Sequence, residues 1–185
     1  MKIRVFLTLA CAAACSLAGQ TQPPAKQTES PATKEIREEF YAVTNNIRHA
    51  ADKMPESAYS FKPAPAMRSF GELLAHVADA QAKTCGSMLQ DKKAVPLTPG
   101  TSKADLTKTL AASFDECYEA FSELSAQNEN QMLPTPAGGR ARIAALTMVL
   151  GHDNEEYGYM AVYLRLKGVV PPSTSDTGRR EYPGK

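Results

Sequence analysis

Apolar residues recur at helical spacing over several long stretches of the chain. Between residues 34 and 53 the apolar positions are three or four residues apart, which is typical of one face of an α-helix. This face consists of Phe40, Val43, Ile47, Ala50, Ala51 and Met54, and Pro55 ends the helix. A similar face follows later in the chain, at Leu106, Leu110, Phe114, Cys117, Phe121 and Leu124. Each face predicts a helix that buries one side against another element.

Two serines mark where the second and third helices begin. Glu72 follows Ser69 at a distance of three residues, and Asp105 follows Ser102 at the same distance. A serine paired with an acidic residue at this spacing is typical of a helix N-terminus, because each side chain can bond a free backbone N–H. The second helix continues to Leu89, after which lysines and prolines interrupt the pattern.

Residues 141–167 predict a fourth helix, which Gly168 ends. No segment alternates apolar and polar residues for long enough to predict a β-strand. Four helices of about 20 residues or more, each with an apolar face, favour an all-α fold in which they pack as a four-helix bundle. We place this bundle at residues 34–172.

The chain begins with the pattern of a signal peptide in residues 1–18. Two basic residues precede an apolar run, and small residues including Ala18 follow it, which is the three-part layout of exported proteins. We therefore expect cleavage after Ala18 and an exported protein, periplasmic or secreted. A lipoprotein is the alternative because Cys11 and Cys15 each follow an alanine, although neither has a leucine three positions earlier.

The flanking segments and the charge limit the partners. Residues 19–33 are polar and contain prolines, which predicts a disordered spacer, and residues 173–185 predict a flexible tail. The chain carries 21 basic and 20 acidic residues without a basic block, so no nucleic acid is expected as a partner. No other apolar run is long enough to cross a bilayer. We therefore expect no membrane partner after signal cleavage.

Cys85 and Cys117 are the cysteines outside the signal segment. In an oxidising compartment they can pair in one way. The resulting loop would restrict the unfolded chain by about 3 to 4 kcal/mol. Two separate buried thiols are the alternative.

The histidines are the first candidates for chemistry. His49 lies on the side of the first helix away from its apolar face, so we expect it to face solvent and exclude it from any site. His76 shares a face of the second helix with Leu73 and Ala80. A buried imidazole needs a hydrogen bond or a metal, because leaving its nitrogens unbonded costs about 1 to 3 kcal/mol.

His152 and Glu156 are four residues apart, so both side chains project from one face of the fourth helix. Together with His76 they could hold a zinc-like ion that keeps one coordination position open for water. Such a water becomes acidic enough to act as a nucleophile. Tyr159 and Tyr163 continue along the same side and are candidate substrate-binding residues. A solvated charge pair beside one core histidine explains the same spacing without a metal.

Three segments give the chain a resemblance to a known family. They are "MPESAYSFKPAPAMRSFGELLAHVADA", "SFDECY" with Cys85 upstream, and "HDNEEYGYMAVYLRLKGVVPP". In this order, around the predicted helices, they resemble the DinB-like family and in particular its exported members. The resemblance covers about residues 34–172.

The resemblance implies a four-helix bundle that often binds a divalent metal such as zinc or nickel. In the family, the ligands are a histidine from the second helix and an H-x-x-x-H pair on the last helix. The first histidine corresponds to His76 and the first of the pair to His152. Glu156 stands where the family has its second paired histidine, and a carboxylate prefers harder ions than an imidazole does.

Two functions follow from these residues, and whether the protein is an enzyme stays open between them. The first is a metal-dependent hydrolase or transferase acting on a small substrate. The resemblance also points to a wider superfamily with enzymes that use low-molecular-weight thiols, but an exported protein would rarely meet those intracellular thiols. The second is a non-catalytic bundle that binds a small ligand or a protein partner without metal, with His76 and Glu156 hydrogen-bonded to each other. A homodimer is an alternative assembly, and haem ligation is a third candidate that lacks a C-x-x-C-H attachment site.

Overall fold

The computed structural model describes residues 28–89, 102–135 and 138–174. These residues form the helices α1 (Pro31–Lys53), α2 (Phe70–Leu89), α3 (Lys103–Ser122) and α4 (Arg142–Leu166). They also form two short 3₁₀ helices, Glu56–Ala58 and Pro172–Thr174, and two strands, β1 (Met132–Leu133) and β2 (Arg140–Ala141). The predicted signal peptide, residues 19–27 of the predicted spacer and residues 175–185 of the predicted tail lie outside the described residues.

The four helices pack as a bundle. Helix α1 contacts α3 and α4, and helix α2 contacts the same two helices, so their order around the bundle is α1, α3, α2, α4. The Nζ of Lys103, at the start of α3, donates to the carbonyl of Met54 just after α1, so α1 and α3 run in opposite directions. Helices α1 and α4 run in the same direction, because Lys53 at the end of α1 lies beside Val170, which follows α4. The predicted all-α bundle is confirmed.

The predicted helix ends are largely those of the structure. The backbone N–H of Ser69 donates to Glu72 Oε2 over 2.6 Å, and the N–H of Glu72 donates to Ser69 Oγ over 3.2 Å. Gly168 adopts a φ of 71°, a left-handed conformation that glycine reaches without strain. This lets the N–H of Val169 donate back to the carbonyl of Leu164 over 2.9 Å and closes α4.

The start of α1 differs from the prediction. The helix begins at Pro31 rather than at residue 34, so the expected boundary between spacer and bundle falls inside it. Ser30 caps the helix by accepting from the N–H of Thr33 over 3.1 Å. Ser30 and Thr33 also donate to Glu129 Oε2, over 2.5 and 2.7 Å. This polar cluster has no hydrophobic period, which explains why the spacing of apolar residues did not predict it.

The prediction that the chain has no β-strand was wrong, because two strands of two residues each form a small hairpin. Strands β1 and β2 pair antiparallel, with Met132 opposite Ala141 and Leu133 opposite Arg140. Gly138 and Gly139, at φ values of 104° and 122°, lead the chain into β2. Strands of two residues are too short to show alternation in a sequence.

Apolar side chains from all four helices form the core, and its largest fully buried members include Phe40, Phe70, Phe114 and Tyr163. Burial of side chains of this size stabilises the fold by about 1.5 to 3 kcal/mol each. His49 is half-buried rather than solvent-facing, and its Nδ1 has no hydrogen-bond partner among the described residues. None of the described helices has the length and hydropathy that crossing a membrane requires.

Candidate metal centre

Helices α2 and α4 bring three predicted ligands together. His76 lies on α2, and His152 and Glu156 lie one turn apart on α4. The Nε2 atoms of the two histidines are 3.1 Å apart. Glu156 Oε1 lies 3.6 Å from the Nε2 of His76 and 3.8 Å from the Nε2 of His152. One donor atom from each residue therefore faces a common point, and the three side chains could hold a metal ion.

The size of this triangle fits a transition-metal ion. A point in its plane that is equidistant from the three atoms lies about 2.0 Å from each of them, and zinc bonds to histidine nitrogen and carboxylate oxygen are about 2.0 to 2.2 Å long. Moving this point out of the plane by about 0.7 Å, as tetrahedral coordination requires, lengthens the distances to about 2.15 Å. The distances among the three donor atoms therefore match those of a bound zinc-like ion.

The burial of Glu156 supports the same interpretation. Its side chain is 5% exposed, and its Oε2 has no hydrogen-bond partner among the described residues. The contact of 3.6 Å between its Oε1 and His76 is longer than a hydrogen bond. The mutual hydrogen bond expected for a metal-free site is therefore not formed. A buried carboxylate that lacks hydrogen bonds is costly when it is charged, and a cation bound at Oε1 would offset part of that cost.

The two histidines leave the site open on one side. Their side chains are 31% and 25% exposed for His76 and His152, compared with 5% for Glu156. Solvent can therefore reach the imidazole side of the site, whereas the carboxylate lies on the closed side. Catalytic zinc sites likewise keep one coordination position accessible to water.

The surroundings shift the pKa of each donor. Burial and the positive charge of Arg68 lower the pKa of His76, so its imidazole is neutral at pH 7 and has a lone pair for a metal. Burial raises the pKa of Glu156. The hydrogen bond to Asp153 raises the pKa of His152. Protons therefore compete with an ion for His152 at higher pH than for His76.

A buried polar chain behind His152 was not predicted from the sequence. Asp153 is fully buried, and its Oδ1 lies 3.5 Å from the Nδ1 of His152. Its Oδ2 accepts from the Nε2 of Gln81 on α2 over 2.6 Å. The signal was present, because Asp153 interrupts the apolar positions Val149 and Met160 on the buried face of α4. An acidic residue at a core position needs a partner.

The two predicted substrate-binding tyrosines lie in different environments. Tyr163 is 1% exposed, and its hydroxyl donates to the backbone carbonyl of Arg68 over 2.7 Å. Tyr159 is 43% exposed and donates to Glu155 Oε1 over 3.2 Å. Tyr163 thus has its hydrogen bond within the fold, while Tyr159 presents its ring to solvent. A role in substrate binding stays a prediction for both.

Cys85 and Cys117 are paired as a disulfide, with Cα atoms 5.0 Å apart. The bond joins α2 to α3 and is fully buried. The sequence allowed either a disulfide or two separate buried thiols, and the structure contains the disulfide. Gln81 and Ser113 lie one helical turn before the two cysteines and are hydrogen-bonded to each other over 3.0 Å, so helices α2 and α3 run in the same direction.

The fold and the site together define a helical bundle that carries a candidate His-His-Glu metal centre. The family model of the DinB superfamily matches residues 39–160, so the chain belongs to the DinB superfamily. This range contains all three candidate ligands. None of the proteins of curated function matches the chain.

Two solved structures of DinB-like proteins are similar to this chain. One, from Bacillus subtilis, has a TM-score of 0.62 and 19% sequence identity, and the match covers 72% of this chain and 92% of that one. The other, from Bacillus cereus, has a TM-score of 0.60 and 18% identity, covering 70% of this chain and 89% of that one. At this level of identity the likeness shows the shared fold.

Proposed function

We propose that the protein is an exported, metal-dependent enzyme that catalyses hydrolysis or transfer on a small substrate. The close approach of three donor atoms, the Nε2 atoms of His76 and His152 and the Oε1 of Glu156, is the observation that carries this proposal. His76, His152 and Glu156 would hold a divalent ion. When bound, this ion would supply a Lewis acid that lowers the pKa of a water or a substrate thiol.

The donor set favours zinc or nickel. Two imidazoles and one carboxylate occur together in catalytic zinc sites that keep a fourth position for water. Imidazole nitrogen suits zinc and nickel, while the single carboxylate adds a negative charge that balances part of the charge of the ion. The partial exposure of the two histidine side chains supports access of solvent to the ion on that side of the site.

Export is supported by two independent features. Residues 1–18 have the layout of a signal peptide, and a buried disulfide is typical of proteins that fold in an oxidising compartment. Expression in a bacterial host followed by fractionation and mass spectrometry tests this part. We expect a periplasmic or secreted protein whose first residue is Gly19. An uncleaved protein that stays in the cytoplasm would contradict it.

Metal analysis of protein purified without a polyhistidine tag tests the site. We expect about one zinc or nickel ion per chain, with loss of the ion in the His76→Ala variant. The matched control is His49→Ala, which removes a half-buried histidine of α1 outside the site and should keep the ion. A wild-type protein that binds no divalent ion, or a His76→Ala variant that still binds it, would rule out the metal centre.

Activity is tested separately from binding. The metal-free and the zinc-loaded protein are compared on a panel of small esters, amides and thiol-transfer substrates. We expect turnover that depends on zinc and is lost in Glu156→Gln, which has nearly the shape of the native residue without its charge. A zinc-loaded protein without activity on the whole panel would count against the enzymatic part while leaving the metal site intact.

One observation favours the non-catalytic alternative. The Nε2 atoms of His76 and His152 are 3.1 Å apart, a distance at which one ring can donate to the other without any ion. In that case the bundle would bind a small ligand or a protein partner through the same open side. The metal analysis separates the two functions, because this alternative expects no bound ion.

A further inference from the structure

The strongest additional feature lies behind the candidate ligands rather than among them. Asp153, Gln81 and Ser113 form a buried chain that links α4, α2 and α3. Their exposed fractions are 0%, 0% and 1%. Ionisable or polar side chains are rarely buried this completely without a structural or functional reason.

The chain has a defined direction. An ionised Asp153 can only accept hydrogen bonds. Its Oδ2 therefore requires the amide nitrogen of Gln81, which donates over 2.6 Å. This fixes the amide group, so that Gln81 Oε1 faces Ser113 Oγ at 3.0 Å. Ser113 shares its hydroxyl proton between this oxygen and the carbonyl of Leu110, which lies 2.8 Å away.

The other carboxylate oxygen of Asp153 is left to His152. The Nδ1 of His152 lies 3.5 Å away, at the long end of the hydrogen-bond range, and is the only donor that the described residues offer to Asp153 Oδ1. Because this oxygen only accepts, it favours the tautomer of His152 that carries its proton on Nδ1. The lone pair of Nε2 then points to the shared space with His76 and Glu156.

We propose that Asp153 is a positioning residue: held by Gln81 and Ser113, it sets the tautomer of His152 so that Nε2 is free to bind the ion. This inference rests on the proposed metal function. Partners of this kind orient metal-binding histidines, and their loss commonly lowers metal affinity by about 10- to 100-fold. Asp153 does not reach the ion itself, so it acts through His152.

The Asp153→Asn variant tests the assignment because it keeps the shape and removes one acceptor. With the Gln81 amide in place, the new amide oxygen faces Gln81 and the new amide nitrogen faces His152 Nδ1. The Nδ1 of His152 must then accept a hydrogen bond from this amide, so the ring proton moves to Nε2. A protonated Nε2 cannot bind the ion. We expect a 10- to 100-fold weaker affinity for zinc and altered visible absorption bands of the cobalt-substituted protein.

A second substitution should restore the site. In the double variant Gln81→Glu with Asp153→Asn, the carboxylate and the amide exchange places. The carboxylate introduced at position 81 can accept from the amide nitrogen introduced at position 153. The oxygen of the same amide again accepts from the Nδ1 of His152. We expect most of the zinc affinity to return. Ser113→Ala, which removes only the far end of the chain, should weaken binding by a smaller factor.

The experiment measures both the affinity for the ion and the protonation of the His152 ring. Zinc affinity is measured by competition with a chelator, and the tautomer of His152 is measured in the metal-free protein by ¹⁵N NMR of its ring nitrogens. Circular dichroism verifies the folding of each variant. Asp115→Asn removes an exposed carboxylate of α3 and is the matched control, for which no change is expected. If Asp153→Asn fails to fold, the double variant and Ser113→Ala decide the question.

The outcomes separate the two proposals. A wild-type protein that binds no divalent ion overturns the proposed function, and the NMR measurement still decides whether Asp153 sets the tautomer. A wild-type protein that binds zinc, together with an Asp153→Asn variant of unchanged affinity and tautomer, overturns the positioning role alone. Restoration by Gln81→Glu supports it, since a purely structural defect would not be repaired by exchanging an amide and a carboxylate.

Discussion

Breaking the disulfide between Cys85 and Cys117 should destabilise the protein by a predictable amount. The two residues are 32 positions apart, so the bond closes a loop of about 33 residues in the unfolded chain. On the chain-entropy relation this restriction is worth about 3.7 kcal/mol at 25 °C. For a domain of about 150 residues, this corresponds to a decrease in melting temperature of about 12 °C.

The assay compares urea unfolding of the oxidised protein, the reduced protein and the Cys85→Ala/Cys117→Ala variant. We expect the reduced protein to lose about 3.7 kcal/mol and the double variant to lose somewhat more. Both sulfurs are fully buried, so their removal also leaves small cavities. The dependence on urea should become steeper, because the unfolded chain without the bond exposes more surface.

A reductant added to the double variant is the control and should change nothing. The reasoning would be refuted if the oxidised and reduced proteins unfolded at the same urea concentration. A loss confined to the double variant would also refute it, because the cavities rather than the loop would then account for the stability.

Three further predictions concern pH and backbone conformation. Hydrogen bonds from Ser69 lower the pKa of Glu72 to about 2, so the Glu72 carboxylate stabilises the fold above its unfolded pKa, and this stabilisation is lost as the pH falls from about 4 to 2. Acid unfolding of the Glu72→Gln variant, compared with that of the wild type, measures the loss. Zinc affinity should fall as the pH decreases through the raised pKa of His152, because protons compete with the ion for the ring nitrogen. Chelator competition between about pH 8 and 5 shows at which pH the ion is lost, and a zinc affinity independent of pH would contradict the prediction. Gly168→Ala should lower the free energy of unfolding by about 1 kcal/mol, because Gly168 has a φ of 71°. Gly158→Ala should raise it by about 0.5 to 1 kcal/mol, because Gly158 lies in a helix with open space around it; equal effects of the two substitutions in urea unfolding would refute this contrast.

The sequence was sufficient to predict the helices and the three candidate ligands, whose donor atoms lie within 3.8 Å of one another. The capping serines mark the starts of α2 and α3 by local hydrogen bonds, which depend on nearby residues and can be read from spacing. The spacing of His152 and Glu156 places both on one face of a helix. Their approach to His76 required α2 and α4 to be neighbours, which the family resemblance implied and the structure bears out.

The remaining features depend on tertiary contacts that spacing does not reveal. Asp153 is one residue from His152 in the chain, yet its role depends on Gln81, 72 positions away. Tyr163 was placed on the ligand side because it follows Glu156 on the same side of α4, but both α1 and α2 cover that helix. A helix covered on two sides buries residues over much of its circumference, so its apolar period does not identify a single buried face.

The shared direction of α1 and α4 determines where a probe can be attached. Thr28 accepts a hydrogen bond from Ala126 beyond the end of α3, whereas Thr174 follows α4 at the opposite pole of the bundle. A helix of 25 residues such as α4 is about 37 Å long. Two fluorophores attached at these positions would therefore be separated by nearly the full length of the molecule, a suitable span for measuring by energy transfer how far the bundle opens during unfolding.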